Sequence, residues 1–477
     1  MAPTVTMLES ASYERLREEH PDEFVPKRVL LANVDMYSEI DRGNSFWVKA
    51  ALVYDTVTGD HVDDQSKTLS FDLLLGLADA CCSRIHPPRE SDSEGTEEVD
   101  ESKQAAAKVV AAAKDVAAAK DVAAAKDVVA AAKDDAAKRT QHPDEGSDEN
   151  KHVIDAIFLV VGFLPRLIRA MGKEGTNSRD AVDESFKSTH MQDIVTDVIK
   201  LENQLPLKLL LDVVNHVEAA ARVAAGQSKL KKLQATLKGY QLGFKSENFD
   251  GVIRKFCWYY SPFFSKQMTA APTGKDGQDQ NIPDTLLDCL HASLVPRAPA
   301  AESGGGRTSR IPTARELRRS GVRLELVEDV RAVVEFKEAT ATLRLPALVY
   351  DFKLATVARN LIAREYEEQS KPVTRYFQLM NELVEEVADV RIIRGAGVVR
   401  GGSKGAQEVH ELIKKIDGYA TYPSVFMAMD LEIEKAKQFH EKRMKNFFVR
   451  NRPAMIWASS VLAASVVAVI TARKTRG

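Results

Sequence analysis

Little in this chain offers ready-made chemistry. It has four cysteines in 477 residues, at Cys81, Cys82, Cys257 and Cys289. Cys81 and Cys82 are adjacent, too close for an ordinary bridge, and no CxxC or Cys/His pair has zinc spacing. The expectation is four reduced, mostly buried thiols in a cytosolic compartment. An excess of either charge is also lacking, since 66 Lys and Arg face 69 Asp and Glu for a net charge of -3. Nothing global therefore draws the chain to nucleic acid, and the one basic stripe lies near its C-terminal end. The opening MAPTVTMLESASYERLREEH has no basic stretch leading into an apolar one, so no secretory signal is expected.

Catalytic signatures are equally sparse. Ten histidines are scattered without HExxH spacing, and no GxSxG occurs. His291 ends a helical run and is read as a capping or surface residue rather than a metal ligand. Gly395 to Gly402, GAGVVRGG, departs from both GxGxxG and GxxxxGKS/T and follows a helix, which makes it a flexible turn rather than a phosphate cradle. No catalytic residue, cofactor or metal is implied. A site assembled from distant residues leaves no local pattern, and an enzyme of that kind is the alternative reading of function.

What the chain does have is one long apolar run. From Pro453 to Ala472 it reads PAMIWASSVLAASVVAVITA, without a charge. As a helix this run spans about 30 Å, the thickness of a bilayer core. Val461, Leu462, Val466, Val467 and Ile470 supply apolar surface, and Trp457 stands near one end, where an indole prefers the interface. Lys442, Arg443, Lys445, Arg450 and Arg452 precede the run; Arg473, Lys474 and Arg476 follow it. Such charges mark the edges of hydrocarbon. The expected topology is a single-pass C-terminal anchor in the plasma membrane or an endomembrane, with the bulk of the chain cytoplasmic. Lys442, Arg443 and Lys445, with Phe447 and Phe448, are candidates for contact with anionic lipid.

The remainder reads as a helical body interrupted by linkers. Residues 1–86 form its N-terminal part. Residues 87–150 are an insertion in which acidic, turn-rich sequence leads into the repeat Ala105 to Lys138, AAAKDV and its variants. Alanine and lysine favour helix, but a six-residue period sends Lys108, Lys114, Lys120 and Lys126 spiralling around it, so no apolar face persists. The expectation is an exposed spacer helix about 50 Å long. Residues 151–450 form the main body, with loops at Thr269 to Asp284 and Val295 to Pro312.

Helices are expected at Phe71 to Cys82, Val153 to Met171, Met191 to Ala220 with a break at Pro206, Pro283 to Ala292, Leu354 to Glu368, Thr374 to Asp389 and Gly405 to Ile416. Between Val322 and Tyr350 the pattern alternates, which predicts two or three short antiparallel strands. The fold class is thus mainly α: a helical globular body with a small antiparallel β element, an exposed Ala/Lys-rich repeat helix and one C-terminal transmembrane helix.

Several blocks resemble, in order, the plant family catalogued as domain of unknown function 247. They include Ile154-Asp155-Ala156-Ile157-Phe158, then Asp197 to Pro206, which carries Leu201-Glu202-Asn203-Gln204-Leu205-Pro206 and is similar to the family's LENQ-I/L-P hallmark. Leu286 to His291, Ile311 to Leu317 with Gly321-Val322, Leu345-Pro346, and Asn360 to Glu365 continue it. The resemblance covers Val153 onward; Phe24 to Tyr37 lacks the Gly-Pro-Tyr-His-His-Gly stretch usual in the family. It implies a membrane-associated plant protein without an established activity, some grass relatives being implicated in pollen self-incompatibility. Glu202, Asn203 and Gln204 invite a catalytic reading, but a lone carboxylate beside amides is no acid/base pair. A polar helix end, with Glu202 and Asn203 bonding backbone groups beside Pro206, fits better.

The function read here is a non-enzymatic, membrane-tethered interaction protein in recognition or signalling. Its partners would be membrane lipid and another protein, not nucleic acid. A stress-related structural protein is a third reading, suggested only by the repeat.

Overall fold

The computed structural model describes residues 14, 17–31, 39–58, 67–85, 145–171, 179–224, 246–265, 283–296, 310–327, 331–401, 405–417, 423 and 425–445. The repeat Ala105 to Lys138 and the apolar run Pro453 to Ala472 both lie outside these residues. Among the described residues no helix is long and apolar enough to cross a membrane. The fold is mainly helical with a small mixed sheet. The chain divides into two compact units, Met1–Val295 with Asp351–Arg364, and Pro296–Tyr350 with Glu365–Gly477.

In the first unit, the Lys67–Ile85 helix packs against Leu207–Ala224, Glu39–Thr58 and Glu145–Ile157. Its inward residues Phe71, Leu74, Leu77 and Cys81 are all within 1% of full burial, and Phe71 stacks on Phe46 with ring centroids 5.3 Å apart. The apolar run expected from Val153 onward forms one continuous rod with a twist. Glu145–Ile157 passes through a π-helical turn, Phe158–Phe163, into Leu164–Met171. All six residues of that turn are buried. The wider turn rotates the apolar stripe, so a consecutive run can face neighbours on several sides. Gly162 lets the Glu39–Thr58 helix come close, because a Cβ there would meet Val53 Cγ2 at 3.3 Å.

Pro206 breaks the chain as expected. Thr189–Asp197 ends before it, Leu201–Asn203 makes a single 3₁₀ turn, and Leu207–Ala224 begins after it. Ser188 caps the first of these helices by accepting from Met191 N at 3.3 Å.

In the second unit, three strands make a mixed sheet: β1 (Arg323–Val327), β2 (Glu335–Lys337) and β3 (Thr342–Pro346), in the order β1-β3-β2. β2 and β3 are antiparallel, but β1 and β3 are parallel. The purely antiparallel expectation is corrected here. Alternation identifies a strand without fixing its direction; burial decides position. Leu343 and Leu345 of β3 are fully buried, while β1 alternates between exposed and half-buried residues. β3 therefore enters the centre after β2 has already formed the far edge. The turn between them places Ala341 in the left-handed region at φ 51°.

The glycine-rich stretch is also more ordered than a flexible turn. Gly397 (φ 74°) leads into β5 (Val399–Arg400), which pairs in parallel with β4 (Leu348–Val349). Gly401 then turns at φ 83°, and a Cβ there would lie 2.9 Å from the Tyr350 carbonyl oxygen. Both the conformation and the contact require glycine.

The single helix expected from Thr374 to Asp389 is two, Pro372–Leu383 and Val387–Gly395. The Asp389 carboxylate accepts from Glu386 N, and the Glu386 side chain reciprocates, a capping box that starts a new helix. Glu365 caps Pro372–Leu383 by accepting from Val373 N at 3.0 Å and Thr374 N at 2.7 Å.

Residues 428–445 form the last helix among the described residues. It is fixed to Pro372–Leu383 by a buried ion pair, Arg375 Nε to Asp430 Oδ1 at 2.8 Å, with side chains 0% and 1% exposed. Glu382 lies 3.5 Å from the same guanidinium, and Asp430 Oδ2 also accepts from Met427 N at 3.0 Å. Removing the cation would strand two carboxylates in the interior. Arg375→Met is expected to cost about 3–5 kcal/mol, and Arg375→Met with Asp430→Leu less than the sum of the two single changes. Denaturant titration of the four-member mutant cycle measures both quantities.

Candidate functional site

The densest constellation of polar side chains surrounds an irregular segment, residues 25–31, that has no strand partner. Its backbone groups must nonetheless be satisfied, because Val29, Leu30 and Leu31 are buried. Side chains from three other parts of the first unit do this. Asp197, at the end of Thr189–Asp197, turns a fully buried carboxylate toward the segment. It accepts from Lys27 N at 2.9 Å, Arg28 N at 2.6 Å and Val29 N at 3.0 Å. Lys200, also fully buried, neutralises it at 2.9 Å and donates to the Val25 carbonyl at 2.6 Å.

Asn203 takes the next step along the segment. Its Nδ2 donates to Val29 O at 2.7 Å, and its Oδ1 accepts from Leu31 N at 2.6 Å. Between these, Ser45 Oγ accepts from Leu30 N at 2.8 Å, and Lys49 donates to Leu30 O while pairing with Asp155. Burial raises the Asp155 carboxyl to about 6 against the opposing pull of Lys49. Upstream, Asn360 Nδ2 donates to Glu23 O at 2.8 Å, and its Oδ1 accepts from Leu201 N at 2.7 Å.

The hallmark residues thus have visible work. Leu201 packs beside Phe24 and Ala363. Glu202 pairs with Arg17 at 3.1 Å. Gln204 ties its own turn together, donating to Val198 O and Lys200 O and accepting from Leu287 N at 3.0 Å. The Pro206 carbonyl accepts from Leu209 N and Leu210 N in the first turn of the next helix. Of Glu202 and Asn203, expected to bond backbone at a polar helix end, Asn203 does so and reaches beyond the local turn, whereas Glu202 takes the Arg17 side chain; Gln204 also bonds backbone. Asp197 and Lys200 also belong to the constellation as its charged centre, with partners 170 and 175 residues away in sequence.

A second cluster was not foreseen in the sequence. Lys353 Nζ lies 4.2 Å from the centre of the Tyr259 ring, pairs with Asp351 and stands 3.6 Å from Asp183. The Tyr259 hydroxyl donates to Asp183 Oδ1 at 2.9 Å. Burial raises the Asp183 carboxyl and the Tyr259 phenol above their usual values. Next to them Arg179 donates to the carbonyls of Trp258, Ser261 and Phe263, and burial lowers its guanidinium to about 10. Lys353 is only 2% exposed and faces two carboxylates. The only sequence signal for this group is the WYY run at Trp258-Tyr259-Tyr260.

None of the four cysteines forms a disulfide; Cys81, Cys257 and Cys289 are buried and Cys82 is half-buried. Burial pushes the Cys81 and Cys289 thiols up to about 12. His291 is buried, 7% exposed, rather than on the surface; it lies within Leu286–Leu294, between apolar neighbours that turn the helix face inward. Of the membrane-flanking residues, Lys442, Arg443 and Lys445 are exposed on the last helix. Arg450, Arg452, Arg473, Lys474 and Arg476, and the anchor residues Pro453, Trp457, Val461, Leu462, Val466, Val467 and Ile470, lie outside the described residues.

The family DUF247, described as plant protein of unknown function, matches residues 85–471. The chain belongs to this family. The DUF247 match begins well before Val153, where the resemblance had been placed. The clamping residues Asp197, Lys200, Asn203 and Asn360 lie inside the matched range, whereas the segment they hold lies outside it. The UPF0481 protein At3g02645 of Arabidopsis thaliana is 28% identical over 163 residues, 34% of this chain. That stretch spans 31% of the relative's own length. No solved structure matches the chain.

The clamp makes a direct prediction. Asp197→Ala removes the acceptor for three backbone amides and leaves Lys200 without its counter-charge, a loss of about 3–5 kcal/mol. Hydrogen exchange is expected to show amides 27–31 losing protection first, ahead of those in Lys67–Ile85.

Proposed function

We propose that this DUF247 protein is a membrane-tethered interaction protein without catalytic activity of its own. The observation that carries the reading is the uncharged run Pro453 to Ala472 with basic residues on both sides. Such a run is far better accommodated in hydrocarbon than in water. The bulk of the chain would face the cytoplasm, where the richer basic flank favours it. There the helical units present their surface to a protein partner in recognition or signalling, and the tether confines the encounter to two dimensions.

Further support comes from what the polar clusters are engaged in. The hallmark residues are committed to holding backbone, and Lys353 to two carboxylates. The alternative, an enzyme, is favoured by one observation only, the convergence of Asp183, Tyr259 and Lys353.

Carbonate washing of membranes tests the tether. The full chain is expected to stay in the pellet, and a chain ending before Pro453 to wash out; equal release of the two would refute it. Deleting Ala105 to Lys138 is expected to leave proximity labelling of partners at the membrane unchanged, whereas a stress-related structural role for the repeat predicts its loss.

A further inference from the structure

The last helix, 428–445, is built so that one face belongs to the protein and the opposite face to something else. Ile433 and Ala436 are buried at 1% and 0% exposure. Phe439 packs on Phe336 of β2 with ring centroids 5.6 Å apart, and the Glu432 carboxylate accepts from Phe336 N at 2.8 Å. With the buried Arg375–Asp430 pair, these contacts bolt the helix to the second unit. At helical spacing the outward stripe reads Leu431, Lys435, Gln438, Lys442 and Lys445. Leu431, 45% exposed, is one of two large hydrophobic residues left open to solvent among the described residues.

Charge is not evenly distributed along this helix. In its first part, acids and bases are matched: Lys435 with Glu432, and Lys437 at 3.9 Å from both Glu434 and Glu441. Beyond Glu441 the matching stops. Lys442, Arg443 and Lys445 are exposed, and none makes an ion pair among the described residues. Arg443 rests 5.3 Å from the centre of the Phe439 ring, which holds its guanidinium against the helix. From Lys445, even fully extended chain reaches Pro453 within about 28 Å.

We propose that the basic end of this helix docks on the anionic headgroups of the bilayer that receives Pro453 to Ala472, and so holds the second unit against the membrane in a fixed orientation. The inference rests on the tether proposed above. It goes further, because a tether alone does not fix how the second unit is oriented. Three unmatched cations on a rigid scaffold, within reach of the surface, have a complementary partner in phosphatidylserine-type lipid. Each basic residue near such a surface shifts the docked population roughly fivefold, and salt screens the attraction.

The experiment uses the full chain reconstituted in vesicles of phosphatidylcholine alone, or with about a third phosphatidylserine. A water-soluble amine-acylating reagent reads the exposure of Lys442 and Lys445 by mass spectrometry. Lys187, 71% exposed in the first unit, is the internal reference. Acylation of Lys442 and Lys445 relative to Lys187 is expected to fall at least about threefold when phosphatidylserine is present, and to recover in about 0.5 M salt. In Arg443→Glu the phosphatidylserine effect is expected to weaken sharply, with the fold intact because this side chain is exposed.

Carbonate extraction of the same vesicles separates the two ideas. Protein that stays in the pellet without lipid-dependent protection overturns the docking and leaves the tether standing. Protein that washes out overturns both. Equal protection in the neutral vesicles would mean mere proximity or a protein contact, and would also overturn the assignment to anionic lipid.

Discussion

A buried stretch of backbone without a strand beside it is the constraint on which the first unit depends. Residues 25–31 follow an irregular, bent path that enters the interior at Val29, Leu30 and Leu31, where an unpaired amide or carbonyl costs several kcal/mol in an apolar setting. A sheet would satisfy these groups with a second strand. Here a carboxylate, two ammonium groups, an amide and a hydroxyl do so, supplied by Asp197, Lys200 and Asn203 on one side and Ser45 and Lys49 on the other. The balance is close at Asp197. Burying its charge is expensive, and only three amide donors together with Lys200 make the arrangement favourable. The gain is specificity as much as stability, because a peptide shifted by one residue would misplace every one of these bonds.

This arrangement explains why a run such as Leu201-Glu202-Asn203-Gln204-Leu205-Pro206 looks catalytic in sequence without behaving so in three dimensions. Amides are the side chains that can donate and accept at once, and a non-repeating backbone needs both. Asn203 bridges a carbonyl and an amide two residues apart on the irregular segment. Gln204 does the equivalent between its own turn and the start of Leu286–Leu294. Pro206 then ends the irregular stretch and starts a helix, as its fixed φ favours. The same logic recurs in the second unit, where Asp430 serves both the Arg375 guanidinium and the Met427 amide.

Local pattern made much of the helical framework legible. Apolar spacing located Lys67–Ile85, Leu207–Ala224 and Ala406–Asp417 to within a few residues, and Pro206 announced its own break. What local pattern could not carry was direction and distance. Alternation between Val322 and Tyr350 gave strands, but it could not show that β3 lies between the other two and runs parallel to β1. The clamp was half visible: Asn203 and Gln204 stand out as polar residues beside a proline, whereas Asp197 and Lys200 look like ordinary helix-surface charges. Their partners are far away in sequence, and side-chain-to-backbone bonds impose no complementary residue type on the other end. Phe158–Phe163 was read as plain helix because a widened turn preserves the same apolar composition.

The two buried charge centres also differ in what they connect. Asp197 and Lys200 are three residues apart and form a local pair, so folding of that turn creates the acceptor before the irregular segment arrives. Arg375 and Asp430 are 55 residues apart, and their bond closes only when the last helix is seated. Sequence-distant pairing of that kind carries a larger loop-closure entropy, so the last helix should be the element of the second unit that forms late. Its inward face is held by an ion pair, an aromatic contact, an edge amide and the buried Ile433 and Ala436, and an outside surface would act on the opposite face. Contacts made by its outward face add to those that hold its inward face.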